Sequence, residues 1–127
     1  MHMAVHNITF DCADPYALGT FWSRLLGQPL SADDMPGDPA ALVAGPDGAP
    51  GLLFLRVPED KTVKNRVHVD LQPRGRTRDQ EVARAVELGA EVCADHRRPD
   101  GTGFVVLTDP EGNEFCVERS AAERGSA

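Results

Sequence analysis

The chain has 127 residues, of which 41% are hydrophobic and 26% are charged, a composition typical of a single globular domain. Its formal net charge of −7 argues against nucleic-acid binding, which depends on Lys and Arg neutralising phosphates. No apolar run approaches the ~20 residues that span a membrane, and no secretory segment follows the start, so the sequence predicts a cytoplasmic protein without a membrane partner.

The three cysteines are Cys12, Cys93 and Cys116. Their number is odd and no CxxC motif occurs, so reduced and mostly buried thiols are expected. Residues 1–3 have the character of an expression remnant and are left out of the fold reasoning.

The first half predicts a strand, a helix and two further strands. Residues 5–12 alternate between polar and apolar side chains, as in a half-buried strand. Asp14 and Pro15 begin a helix with one apolar stripe, which ends at Gly27. A loop rich in Pro, Gly and Asp then precedes two short strands. These segments are residues 31–40, 41–44 and 51–57.

The second half repeats this pattern. Residues 65–72 alternate, with His68 and Asp70 on one face. A capping box at 77–80 begins a second helix, and Gly89 ends it. Three short strands follow, at 91–94, 104–108 and 114–118.

Aligned with one another, both halves are read as a strand, a capped helix ending in Leu-Gly, a short strand, a loop, a strand, a Pro-acid-Gly turn and a strand, with a repeat of about 60 residues. The predicted fold class is α+β, with two βαβββ modules forming a curved mixed sheet. The single domain covers residues 4–119, with modules at about 4–58 and 64–119, and a flexible tail at 120–127. Two four-stranded sheets, each with a helix on one face, would enclose a concave ligand site.

Four segments carry a resemblance to a known family: ITFDCADPYALGTFWSRLLG, RVHVDLQP, VELGAEV and FVVLTDPEGNEFCVE. In this order and spacing, over about residues 4–119, the chain resembles the vicinal oxygen chelate superfamily, specifically its glyoxalase-like and bleomycin-resistance-like members. The resemblance implies the glyoxalase/bleomycin resistance/dioxygenase-type fold. It also implies a homodimer, because two-module members often pair.

Enzymes of this superfamily bind one divalent metal, which stabilises negative charge on the substrate. The resemblance places the three ligand positions, usually His, His and Glu, at Asn7, His68 and Cys116. This is a poor set, because an amide oxygen is a weak ligand and a buried thiol resists ionisation. No standard metal site is therefore expected. Of the ions considered (Zn, Fe, Mn or Ni), a thiolate ligand would favour zinc over iron or manganese.

An alternative metal set is His6, His68 and Glu118, two histidines and a carboxylate of the kind that binds non-haem iron. His6 is adjacent to Asn7 in the predicted strand and therefore points to the opposite face. Only a bulge or a register shift would turn it inward.

The predicted ligand pocket consists of Asn7, Thr9, Trp22, His68, Asp70, Cys116 and Glu118. Each has a structural alternative: Trp22 as helix–sheet core, His68 as a hydrogen-bonded strand residue, Asp70 as a solvated charge and Cys116 as a packing residue. No catalytic residue is assigned.

The first functional hypothesis is a protein that binds a small molecule without a standard metal site. The second is a lyase, isomerase or dioxygenase with an unusual metal set that includes His68. The third is a dimerising accessory domain.

Overall fold

The computed structural model describes residues 1–125, which form seven strands and three helices. The chain divides into two units, the first spanning Met1–Lys61 and the second beginning at Thr62. Among residues 1–125, no helix combines the length and the apolar character needed to cross a membrane.

The first unit contains a three-stranded sheet and one helix. Its elements are β1 (Asn7–Cys12), α1 (Pro15–Leu26), β2 (Ala40–Val43) and β3 (Gly51–Arg56). The strand order is β1-β3-β2, with β1 parallel and β2 antiparallel to β3. The expected fourth strand is reduced to an isolated bridge between Leu30 and Val43. The prediction of four strands is therefore wrong for this unit, because turns interrupt the segment that follows the bridge.

Helix α1 begins and ends where the sequence predicts. The Asp14 carboxylate accepts a hydrogen bond from the Ala17 amide at 3.1 Å, and Gly27 adopts the left-handed conformation that ends the helix. The apolar stripe packs on the sheet, and Trp22 is completely buried with its ring 5.4 Å from that of Phe10.

The second unit contains a four-stranded sheet and two helices. Its elements are β4 (Val69–Leu71), α2 (Arg78–Leu88), β5 (Glu91–Asp95), β6 (Val105–Thr108), β7 (Glu114–Val117) and α3 (Ala121–Gly125). The strand order is β4-β7-β6-β5, and β4 is parallel to β7 as β1 is to β3. The order β1-β3-β2 of the first unit therefore corresponds to β4-β7-β6 of the second, and the predicted α+β class is confirmed.

The C-terminal segment is helical where a flexible tail is expected. Helix α3 follows the buried Ser120. The Glu123 carboxylate accepts hydrogen bonds from the backbone amides of Arg78 at 2.7 Å and Ser120 at 2.9 Å. These bonds attach α3 to the start of α2. Residues 126–127 of the predicted tail lie outside the described residues.

One further expectation requires correction. The strand predicted at 65–72 is reduced to Val69–Leu71, so His68 lies immediately before it.

The thiols are mostly buried, as expected: Cys12 and Cys116 are buried and Cys93 is exposed. Strand β5 has a register shift between Val92 and Ala94, which displaces Cys93 from regular pairing.

Candidate functional site

The second unit contains a pocket with a volume of about 340 Å³, close to the lower end of the ~300–1,000 Å³ usual for ligand pockets. Four of the predicted pocket residues lie on its wall: His68, Asp70, Cys116 and Glu118. The wall is completed by Gly103, Phe104, Arg119 and Arg124.

Strands β4 and β7 bring three of these side chains together. Their parallel register places Asp70 opposite Cys116, and His68 lies two residues before Asp70. Alternation along a strand places His68 and Asp70 on one face, which Cys116 shares. The potential ligand atoms of His68, Asp70 and Cys116 all lie within 4.8 Å of one another. The Nδ1 atom of His68 is 3.8 Å from Oδ1 of Asp70.

Cys116 is a neutral thiol at this site. Its residue is only 6% exposed. Burial raises the pKa of the Cys116 thiol to about 11, and the negative charge of Asp70 contributes to the increase. The side chain is therefore protonated near neutral pH and is a poor nucleophile in the absence of a bound cation.

The pocket wall also contains two arginines and an aromatic ring. Arg124 donates from Nη1 to Oε1 of Glu118 at 3.4 Å. Phe104 is 38% exposed, and its ring lies 4.9 Å from that of His96. This wall therefore offers an apolar surface beside positive charge.

Arg78 supports the loop that contributes Gly103 and Phe104 to the pocket wall. It is 5% exposed, and its Nη1 atom donates to the backbone carbonyls of Gly101, Thr102 and Gly103 at 3.2, 3.1 and 3.0 Å. This contact holds the loop that carries Gly103 and Phe104 onto the wall.

Arg78, Phe104, Arg119 and Arg124 were not predicted from the sequence as site residues. The available signals were the arginine directly after the capping threonine, the two loop glycines and the arginines that follow the last strand.

The candidate site residues of the first half lie on β1, directly before it, or on α1. Asn7 is half-buried on β1 opposite Gly51, and Thr9 is exposed on the same strand. His6 is exposed just before β1, and its backbone carbonyl accepts a hydrogen bond from the Gly51 amide at 3.1 Å. The expectation that Trp22 lines a pocket is corrected, because a side chain with 0% exposure offers no surface to a ligand.

The fold and sequence together identify the family. The chain belongs to the glyoxalase-like domain family, whose profile matches residues 7–118, and thereby to the vicinal oxygen chelate superfamily.

Solved structures have the same fold. A variant of the fosfomycin resistance protein FosX from Listeria monocytogenes, complexed with Mn(II) and 1S,2S-dihydroxypropylphosphonic acid, is 16% identical, with 100% of each chain covered and a TM-score of 0.70. A possible glyoxalase from Bacillus cereus is 20% identical over 92% of this chain and 99% of its own, with a TM-score of 0.66. At these identities the likeness establishes the fold alone. No curated protein matches this sequence.

The superfamily implies a divalent metal, and the donors present restrict which ion fits. His68, Asp70 and Cys116 offer nitrogen, oxygen and sulfur. A thiolate suits zinc better than manganese, which prefers oxygen ligands. The set therefore fits a thiophilic ion, which would require loss of the Cys116 proton. Asp70 was predicted as a pocket residue but not as a metal ligand.

Proposed function

We propose that this chain binds a small polar molecule in the second-unit pocket without the standard metal site of the superfamily. The observation that carries the proposal is that one pocket wall combines two carboxylates, two arginines and an imidazole with the partly exposed Phe104. Pockets that combine an apolar surface with a few converging polar groups are the usual form of small-molecule sites.

Each part of the wall would have a distinct role. Phe104 would provide apolar contact, His68 and Asp70 would accept or donate hydrogen bonds, and the arginines would pair with acidic groups. The protonated Cys116 would contribute packing rather than chemistry.

A compound screen monitored by amide chemical shifts of ¹⁵N-labelled protein tests this proposal. Binding compounds should shift the amides of 68–70, 103–104 and 116–119 together. Asp70→Asn should weaken their binding, whereas the matched exposed control Asp60→Asn should not. A screen in which no compound at 1 mM shifts these amides would refute the proposal.

The second candidate is a metal-dependent lyase, isomerase or dioxygenase. It is favoured by the grouping of His68, Asp70 and Cys116 within 4.8 Å, and by a relative of the same fold that was solved with Mn(II). A bound divalent ion would supply Lewis-acid polarisation of a substrate oxygen. His68 and Asp70 would hold the ion from the exposed side, and Cys116 from the buried side.

Metal content separates the two candidates. Protein purified without chelators should contain no stoichiometric metal under the first proposal. Under the second, it should contain zinc, and cobalt substitution should produce a thiolate-to-metal absorption band. That band should be lost in Cys116→Ser and retained in Cys12→Ser, which changes a buried thiol of the other unit. Stoichiometric metal lost on His68→Ala would overturn the first proposal.

We also propose that the protein acts in the cytoplasm as a homodimer, since superfamily members often form dimers. Sedimentation equilibrium at micromolar concentration should give twice the chain mass of 13.7 kDa. A monomer at all concentrations would contradict this part.

A further inference from the structure

We propose that the ligand of the second-unit pocket is a small planar organic acid, with its acid group on Arg119 and its flat body against Phe104. This inference rests on the proposed function, because it requires the pocket to bind a small molecule. It adds the chemical class of the ligand and the residue that selects it.

The pocket wall contains four formally charged side chains, and two of them neutralise each other. Glu118 and Arg124 form an ion pair at 3.4 Å. Asp70 has the imidazole of His68 as its neighbour at 3.8 Å. Arg119 also lines the pocket, and its side chain has no hydrogen-bond or salt-bridge partner among residues 1–125.

One carboxylate outside the pocket could compete for Arg119. The pKa of Asp100 is lowered mainly by hydrogen bonds from Thr102, and further by the charges of Arg98 and Arg119. Asp100 therefore lies within the field of Arg119. Its Oδ1 atom accepts hydrogen bonds from the amide of Thr102 at 3.0 Å and from the Thr102 hydroxyl at 2.6 Å, and it makes no hydrogen bond with Arg119. The guanidinium keeps its donors available for a ligand.

The remaining residues of the pocket wall determine the orientation of the ligand. Asp70 repels a second acid group at the Cys116 end and would accept a hydrogen bond from a hydroxyl or amino group there. Phe104 presents 38% of its surface, which suits a planar body in contact with the ring. An Arg fork pairs with a carboxylate or phosphonate through two parallel hydrogen bonds. A cavity of about 340 Å³ accommodates a ligand the size of benzoate.

Benzoate and benzamide are matched probes, because they have nearly the same shape and differ in charge. Titrations of ¹⁵N-labelled protein should show that the wild type binds benzoate on the order of tenfold more tightly than benzamide, the difference between a charge-assisted and a neutral hydrogen bond. Arg119→Gln should reduce this ratio to about one. Arg98→Gln removes the same charge from a residue outside the pocket wall and should leave the ratio unchanged. Arg119→Lys, which keeps the charge but lacks the fork, should give an intermediate ratio.

Each other outcome has a definite meaning. Equal binding of both probes by the wild type, or an unchanged ratio in Arg119→Gln, overturns the acid class while the pocket function stands. If neutral screen compounds bind but neither benzoate nor benzamide does, the acid class is likewise overturned while the pocket function stands. Absence of any ligand in the pocket removes both the proposed function and this inference.

Discussion

The guanidinium of Arg78 lies 3.0 Å from the carbonyl oxygen of Gly103, and this contact joins the start of α2 to the pocket wall. The same Nη1 atom reaches the two preceding carbonyls, so one buried side chain satisfies three consecutive backbone acceptors. The loop conformation that presents Phe104 therefore depends on Arg78.

Replacement of Arg78 by Met should lower the free energy of unfolding by about 2–3 kcal/mol, because three loop carbonyls lose the charged donor that Arg78 supplies. Urea denaturation measures this change. Arg84→Met on the same helix removes a half-buried pair with Glu81 and should cost less than about 1 kcal/mol. Equal losses of unfolding free energy in the two variants would show that the contact between Arg78 and the loop carbonyls does not contribute to stability.

Substitution of Gly103 tests the backbone conformation of the same loop without changing Arg78. Gly103 has a φ of 95°, and an added Cβ would overlap the carbonyl oxygen of His96. Gly101 has a φ of 88° but open space around it. Gly101→Ala should therefore cost about 1 kcal/mol of strain alone. Gly103→Ala should cost at least about 2 kcal/mol more, as for other steric overlaps of backbone. Similar melting temperatures for both variants would contradict this difference.

The buried Cys116 and the exposed Cys93 should differ in reactivity. The pKa of Cys116 is raised to about 11 by burial and by Asp70, so its alkylation at pH 8 should be far slower than that of the exposed Cys93. Asp70→Asn removes the negative charge, lowers the pKa of Cys116 and should accelerate its alkylation. Mass spectrometry of iodoacetamide-treated protein from pH 7 to 10 measures both rates. A Cys116 rate that Asp70→Asn leaves unchanged would exclude the electrostatic contribution.

Asp95 should titrate well below an ordinary aspartate. Hydrogen bonds from Arg97 lower its pKa from 3.8 to about 2. Because the folded-state pKa is depressed, this pair stabilises the fold above pH 3.8, and the contribution is lost as pH falls through about 2. Arg97→Gln should return the pKa towards 3.8, as measured by carboxyl ¹³C shifts. An unchanged titration curve in that variant would show that Arg97 is not the cause.

Local signals in the sequence predicted the helices because their determinants lie within a few residues. Thr77 and Gln80 exchange the two hydrogen bonds of a capping box, at 3.0 and 3.2 Å, as the spacing indicates. The alternation before Leu71 likewise placed His68 and Asp70 on a common face.

The remaining features depend on contacts between segments distant in sequence. The contacts of Arg78 are with carbonyls 23–25 residues later in the chain. The position of α3 depends on the hydrogen bond that Glu123 accepts from the Arg78 amide, 45 residues earlier. No periodicity encodes such contacts. The grouping of Phe104 with Arg119 requires the tertiary structure for the same reason. The exposure of Cys93 likewise depends on the position of β5 at the edge of its sheet, where residues on both faces are exposed.

The parallel pairings in the two sheets have a consequence for folding kinetics. Asn7 pairs with Gly51 and Val69 with Phe115, so each of these contacts closes a loop that contains almost a whole unit. The antiparallel pairs β2–β3 and β6–β7 close much shorter loops. Hairpins should therefore form early, and β1 and β4 should join their sheets last. In pulse-labelled hydrogen exchange, the amides of β1 and β4 should gain protection after those of the hairpins, so the His68–Asp70 end of the pocket should be the last part to assemble.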